Sequence, residues 1–291
     1  MNAGEHWLLA IGAMVVAAGT AGAAEPQKAW EASGFKQPES AVYDKATGAI
    51  YVSNVNGDPT QKDGNGFISK VGTDGKVSAA EWVKGLNSPT GLTLVGGTLY
   101  AADVDQIVAI DIAKGEVTGR HTAEGAKFLN DLTGDKQGRV YASDMPTDTI
   151  WVLEGDKIAV LLHDEELNNP NGLLALDDGR ILVGSWGRMA EDFSTKVPGH
   201  MRVIDVASKK VSDLGDPTPV GNLDGIEPDG SGGYLVTDWM NGVLFRVAAD
   251  GKATKLLSMN KGAADLGVVP DQKLALIPMM MDGTLVAYKV E

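Results

Sequence analysis

Ile50-Tyr51-Val52-Ser53-Asn54 returns as Leu99-Tyr100-Ala101-Ala102-Asp103 and again as Val140-Tyr141-Ala142-Ser143-Asp144. Each run mixes β-branched, aromatic and small residues, as short buried strands do, and most such runs follow a Gly-containing turn such as Asp178-Gly179-Arg180. Three further segments continue the series: Ile181-Leu182-Val183-Gly184-Ser185, Tyr234-Leu235-Val236-Thr237-Asp238 and Leu274-Ala275-Leu276-Ile277-Pro278. A second element stands ahead of each: Pro38-Glu39-Ser40, Pro89-Thr90-Gly91, Leu129-Asn130-Asp131, Pro170-Asn171-Gly172, Leu223-Asp224-Gly225 and Ala264-Asp265-Leu266. Its central residues, Glu39, Thr90, Asn130, Asn171, Asp224 and Asp265, are spaced by 51, 40, 41, 53 and 41 positions. A unit of roughly forty residues is one four-stranded blade, so the expected fold is all-β, a six-bladed β-propeller.

Working outward, a third strand follows in each repeat, and a fourth in the first five. The sixth repeat runs out of chain, which leaves Gln27 to Ala32 to supply its outer strand beside Leu285 to Tyr288 and so close the ring. An α/β arrangement is excluded because no stretch between the strands carries helical apolar periodicity; His163 to Asn168 is one turn at most.

The composition agrees. Of 291 residues 37 are Gly, which suits a chain full of turns, and none is Cys, which excludes disulfides, thiolate zinc sites, iron-sulfur clusters and a cysteine nucleophile. A net charge of −14 disfavours nucleic acid and anionic membranes as partners and leaves small molecules and cations. The apolar run Trp7 to Ala18, followed by small residues to Ala24, reads as an export leader over residues 1–24, although no Lys or Arg precedes it. The expectation is a periplasmic or secreted protein, residues 25–291 forming one propeller domain with no stable membrane association once the leader is removed.

In a propeller the innermost strands line the central channel, so equivalent positions form a ring at one mouth. Here that ring holds Glu39, Thr90, Asn130, Asn171, Asp224 and Asp265. Asn and Asp at such places also cap turns. Five polar side chains in register instead point to a cation, because converging buried carboxylates need a counter-charge. An all-oxygen set favours a hard divalent cation, Ca²⁺ foremost. Two long loops, Val55 to Gly66 and Trp186 to Gly199, belong to opposite blades and are expected to overhang the ring, with Trp186, Met189, Phe193, Trp239 and the run Met279-Met280-Met281 as apolar walls. The Met run is equally suited to core packing. Asp103, Asp144 and Asp238 are expected to hold turn amides. No Gly-x-Ser-x-Gly elbow occurs and none of the four histidines falls in the ring, so a serine triad has no basis.

Taken in order, Pro38-Glu39, Asn130-Asp131, Pro170-Asn171-Gly172 and Asp224-Gly225 resemble the metal-site motifs of the gluconolactonase and regucalcin (senescence marker protein) family of six-bladed propellers. The resemblance runs over residues 25–291. It implies that Glu39, Asn171 and Asp224 coordinate a divalent cation, that Asn130 coordinates it or binds substrate, and that a sugar lactone is hydrolysed. The lactonases of that family place Arg two residues before the blade-three Asn. This chain has Phe128 there, which with the apolar rim points to a more hydrophobic ligand. The expected activity is therefore metal-dependent hydrolysis of a small lactone or ester, with Asp224, and after it Glu39, as general base. The alternative is a non-catalytic exported propeller that keeps Ca²⁺ structurally and binds a protein or small ligand.

Overall fold

Gly-punctuated runs of alternating strand residues pair with their sequence neighbours, because two-stranded hairpins form across short turns. Among the residues described by this computed structural model (Met1, 25–190 and 194–290), they make six four-stranded antiparallel sheets. The expected leader, Met1 apart, and Phe193 lie outside the described residues. The inner strands of blades one to five are Pro38–Asp44, Pro89–Val95, Leu129–Gly134, Pro170–Ala175 and Leu223–Pro228; that of blade six is Gly267–Val269. In the first five blades the strands follow chain order from the channel outward. Among the described residues helix is confined to single 3-10 turns at Met145–Thr147, Glu165–Leu167 and Pro270–Gln272. No helix among the described residues is long and apolar enough to cross a membrane.

Each blade is too thin to bury both faces alone, so the core lies between blades. Tyr51, Ile68 and Leu86 of blade one close against Leu99, Val108 and Ile110 of blade two, all of them fully buried. The ring closes the same way, with Leu276 and Leu285 of blade six packed on Ile50 and Val71 of blade one.

Gln27–Ser33 supplies the outer strand of blade six, pairing from Gln27 opposite Lys289 to Ser33 opposite Thr284. Trp30 braces this strand on blade one. Its Nε1 donates to the Thr73 carbonyl at 2.9 Å, and its ring lies where a Cβ on Gly75 would stand, 2.7 Å away. Gly75 has φ +83°, so both its conformation and its space require glycine. Trp30→Ala removes the ring contact and the hydrogen bond and is expected to cost about 2 kcal/mol, read as a lowered denaturant midpoint. An unchanged midpoint would show that the brace contributes nothing.

Candidate functional site

Every inner strand of blades one to five carries a β-bulge at the same place. The register slips between Pro38 and Ala41, Pro89 and Leu92, Leu129 and Leu132, Pro170 and Leu173, and Leu223 and Ile226. A bulge bends its strand and re-aims a side chain. The residue just inside each bulge is Glu39, Thr90, Asn130, Asn171 or Asp224, and all five line one cavity of about 240 Å³ at the channel mouth. The bulges are fixed by side chains behind them: Ser53, Ser143 and Thr237 accept the amides of Ser40, Asp131 and Gly225 at 2.8 to 3.0 Å.

Four of the five form an oxygen cradle. Glu39, Asn130, Asn171 and Asp224 are all buried, and each presents one oxygen with no hydrogen-bond partner among the described residues: Glu39 Oε2, Asn130 Oδ1, Asn171 Oδ1 and Asp224 Oδ1. Buried polar atoms are nearly always paired, and four orphaned oxygens facing one cavity suit a positively charged ligand. Burial, reinforced by Asp224, Asp265 and Asp131, holds the Glu39 carboxyl well above the usual range. Burial and then Asp265 do the same to Asp224, opposed by a hydrogen bond from the Asn171 side chain. Among the described residues no three acidic or histidine side chains are assembled as a ligand set; the cradle pairs two carboxylates with two amides. That all-oxygen donor set fits a hard divalent cation.

The sixth ring position is not Asp265. In blades one, three, four and five the residue after the second strand donates its amide to the carbonyl two residues before the ring residue: Val55 to Gln37, Met145 to Phe128, Trp186 to Asn169 and Trp239 to Asn222. In blade six the same bond runs from Met280 to Gly262 at 2.8 Å, which makes Ala264 the ring residue. Thr237 Oγ1 bonds the Ala264 carbonyl as Ser143 Oγ bonds that of Asn171, in agreement. Asp265 belongs one step deeper, bridged to Ser40, whose hydroxyl donates to its carboxylate. This second tier is otherwise Gly91, Asp131, Gly172 and Gly225, so Asp131 and Asp265 are its only acids, on opposite blades.

Deeper still, Glu227 is partly buried, and burial together with Asp265 pushes its carboxyl up to about 8. Folding therefore favours its protonated form. Its contribution to stability is full below the ordinary value of 4.5 and is lost as pH rises through about 8. In metal-free buffer the melting temperature is expected to fall across that window, and Glu227→Gln to flatten the fall; parallel profiles would refute the assignment.

Above the cradle the residue after each second strand is apolar in all six blades: Val55, Val104, Met145, Trp186, Trp239 and Met280. The last four line the cavity as a collar. Phe128, Met145 and Trp186 form a buried cluster apart from the interblade cores, with Met189 and Trp239 packed on it and the two indoles 6.0 Å apart. Asp144 accepts the Phe128 amide at 2.9 Å and so seats both Phe128 and the turn leading to Asn130. Asp103 likewise holds the amides of Asn87 and Ser88, and Asp238 that of Asn241.

The structure thus brings together Glu39, Phe128, Asn130, Asn171, Trp186, Asp224 and Trp239, along with Met280 and Met281; Met279 is core. From the long blade-one loop only Pro59 reaches the cavity. Gln37, Pro59 and Met145 are lining residues that sequence reasoning missed. Met145 had a signal, since it occupies the same post-strand position as Trp186 and Trp239. His121, His163 and His200 stay away from the cavity, the last bonded to Asp213 at 2.8 Å.

Residues 37–264 match the family model described as SMP-30/Gluconolactonase/LRE-like region. A gluconolactonase of Xanthomonas campestris superposes with a TM-score of 0.69 at 16% identity, over 95% of this chain and 99% of that one. Regucalcin of Agrobacterium tumefaciens, a calcium-binding protein, gives 0.67 at 16%, over 92% and 94%. Virginiamycin B lyase of Staphylococcus aureus gives 0.62 at 12%, over 90% and 99%. These likenesses are of fold. No curated protein sequence matches the chain.

Proposed function

The chain belongs to the SMP-30/gluconolactonase/LRE-like family, and on that premise we propose that it is a divalent-cation-dependent hydrolase of a small lactone or ester. The observation that carries this reading is the set of four orphaned oxygens, Glu39 Oε2, Asn130 Oδ1, Asn171 Oδ1 and Asp224 Oδ1, around one cavity. They would hold the cation, Ca²⁺ foremost, which when bound supplies Lewis-acid polarisation of the substrate carbonyl. The names of the gluconolactonase and regucalcin relatives support the same reading.

The residues supply the rest. Asp224, fixed on one side by the Asn171 amide, takes a proton from the attacking water, with Glu39 as the second candidate base. The water oxygen bonds to the carbonyl carbon, the acyl carbon-oxygen bond breaks, and the leaving oxygen takes up the proton that Asp224 accepted. Among the described residues Asn130 Nδ2 has only the Met145 thioether as partner, at 3.7 Å, and is available to donate to the developing oxyanion. The collar, with Met145 and Trp186 buried and Trp239 and Met280 half-buried, limits the access of bulk water to these groups. We place this activity outside the cytoplasm on the strength of the leader sequence; a secreted or periplasmic product beginning near Glu25 by mass is the expected result, and a full-length product there overturns it.

The deciding experiment is metal content of the purified protein followed by lactone and ester turnover with and without chelator. Saturating Ca²⁺, at about 100 times its dissociation constant, is expected to stabilise the fold by about 2.7 kcal/mol, some 5–10 °C in Tm, with the chelator reversing it. Stabilisation with no turnover of any lactone or ester would replace the hydrolase by a binding propeller.

A further inference from the structure

Immediately above the cradle the walls of the cavity are hydrocarbon and aromatic. The collar stands on blades three to six, with Met145, Trp186, Trp239 and Met280; the corresponding Val55 and Val104 of blades one and two are buried and do not line the cavity. Phe128 adds a ring beside the collar. The polar lining outside the cradle is limited to Gln37 and Thr90, and both are partly spent: Gln37 Oε1 accepts the Gly57 amide at 2.6 Å, and Thr90 Oγ1 donates to the Leu129 carbonyl at 3.1 Å. No Lys or Arg lines the cavity among the described residues. At the rim Met281 is 63% exposed, an unusual place for a large apolar side chain, and the volume of about 240 Å³ admits only a small molecule.

A polyhydroxylated ring entering this space loses water from hydroxyls that Gln37 and Thr90 can satisfy only in part, at roughly tenfold in affinity or more per group left unpaired. A hydrocarbon substituent gains about fourfold per buried methylene. From this contrast we infer that the substrate is a lactone or ester carrying a hydrocarbon substituent and few hydroxyls, its carbonyl at the cradle and its substituent against the collar of blades three to six. This rests on the hydrolase reading above for the reaction, and on the cavity walls alone for the ligand class. Trp186, Trp239 and Phe128 are the specificity determinants.

The test uses two measurements on the Ca²⁺-loaded full-length protein. In the first, kcat/KM is measured on δ-lactones with progressively longer alkyl chains and on glucono-1,5-lactone. The expected result is a rise of about fourfold per methylene until the cavity fills, with the sugar lactone at least 100-fold below the best alkyl lactone. Trp239→Ala should flatten the chain-length dependence. In the second, calorimetry measures binding of non-hydrolysable 2-alkylcyclopentanones and of inositol. Chain-length-dependent binding of the ketones with no turnover of any lactone supports the ligand class while the hydrolase reading fails. Turnover that favours the sugar lactone, or ketone binding indifferent to chain length, overturns the ligand class and leaves the hydrolase reading standing.

Discussion

Asp224→Asn is expected to lower lactone turnover by a factor of about 100 to 10,000, the range over which a positioned general base acts. The substitution keeps shape and volume, so the blade-five bulge and the packing beneath it stay in place. It changes two things. The cradle loses one of its two carboxylates, which weakens cation binding, and the water loses its proton acceptor. A second readout separates this from general damage. Burial and the proximity of other acids already press the Glu39 and Asp224 carboxyls toward their neutral forms. Removing one of them relieves that repulsion, so the metal-free variant should melt at a higher temperature than the parent while its Ca²⁺-dependent rise in Tm shrinks. A variant with full activity, or one destabilised without metal, would show that Asp224 does neither job.

Gly172→Ala is expected to be strongly destabilising for the addition of a single methyl group. A Cβ at this position would stand 1.6 Å from the Asp224 carbonyl oxygen and 2.8 Å from its carbon. The obstacle is the backbone of the neighbouring inner strand, which cannot rotate aside as a side chain does. Blades four and five must part, at a cost of about 3 kcal/mol or more and a fall in Tm near 10 °C. Because the displaced peptide is that of Asp224, Ca²⁺ affinity should fall as well. Gly184→Ala is the comparison: its Cβ would meet Leu223 Cβ at 3.1 Å and the Asp224 carbonyl at 3.4 Å, contacts that a small shift absorbs. Equal stability of the two variants would refute the argument.

The blade repeat was legible because each repeat must make the same hairpins, and Tyr51, Tyr100 and Tyr141 mark equivalent strand positions in three of them. The four cradle residues were legible for a related reason: the bulge that aims them is preceded by Pro or Leu in each of these blades. Blade six lacks both marks. Leu274-Ala275-Leu276-Ile277-Pro278 is apolar throughout, with no Tyr to fix its phase and no acid to end it, so two registers one residue apart read equally well. The one chosen from sequence put Asp265 in the ring, where the hydrogen bonds put Ala264. Phe128 was drawn to the site by family resemblance alone. Met145 is less legible because its place at the mouth depends on a 3-10 turn with Pro146 near its start, and Pro59 because nothing within its long loop marks which residue turns toward the cavity.

The strand Gln27–Ser33 precedes the other strands of the ring in the chain, and its partner Thr284–Lys289 follows them all. Closure therefore joins the first strand of the ring to the last. Until Thr284–Lys289 is in place, Gln27–Ser33 has no partner strand and its edge is unpaired. A product truncated in blade six would keep that edge open and offer it to proteases and to other chains. The ring therefore seals only when both of these strands, from opposite ends of the propeller, are present together.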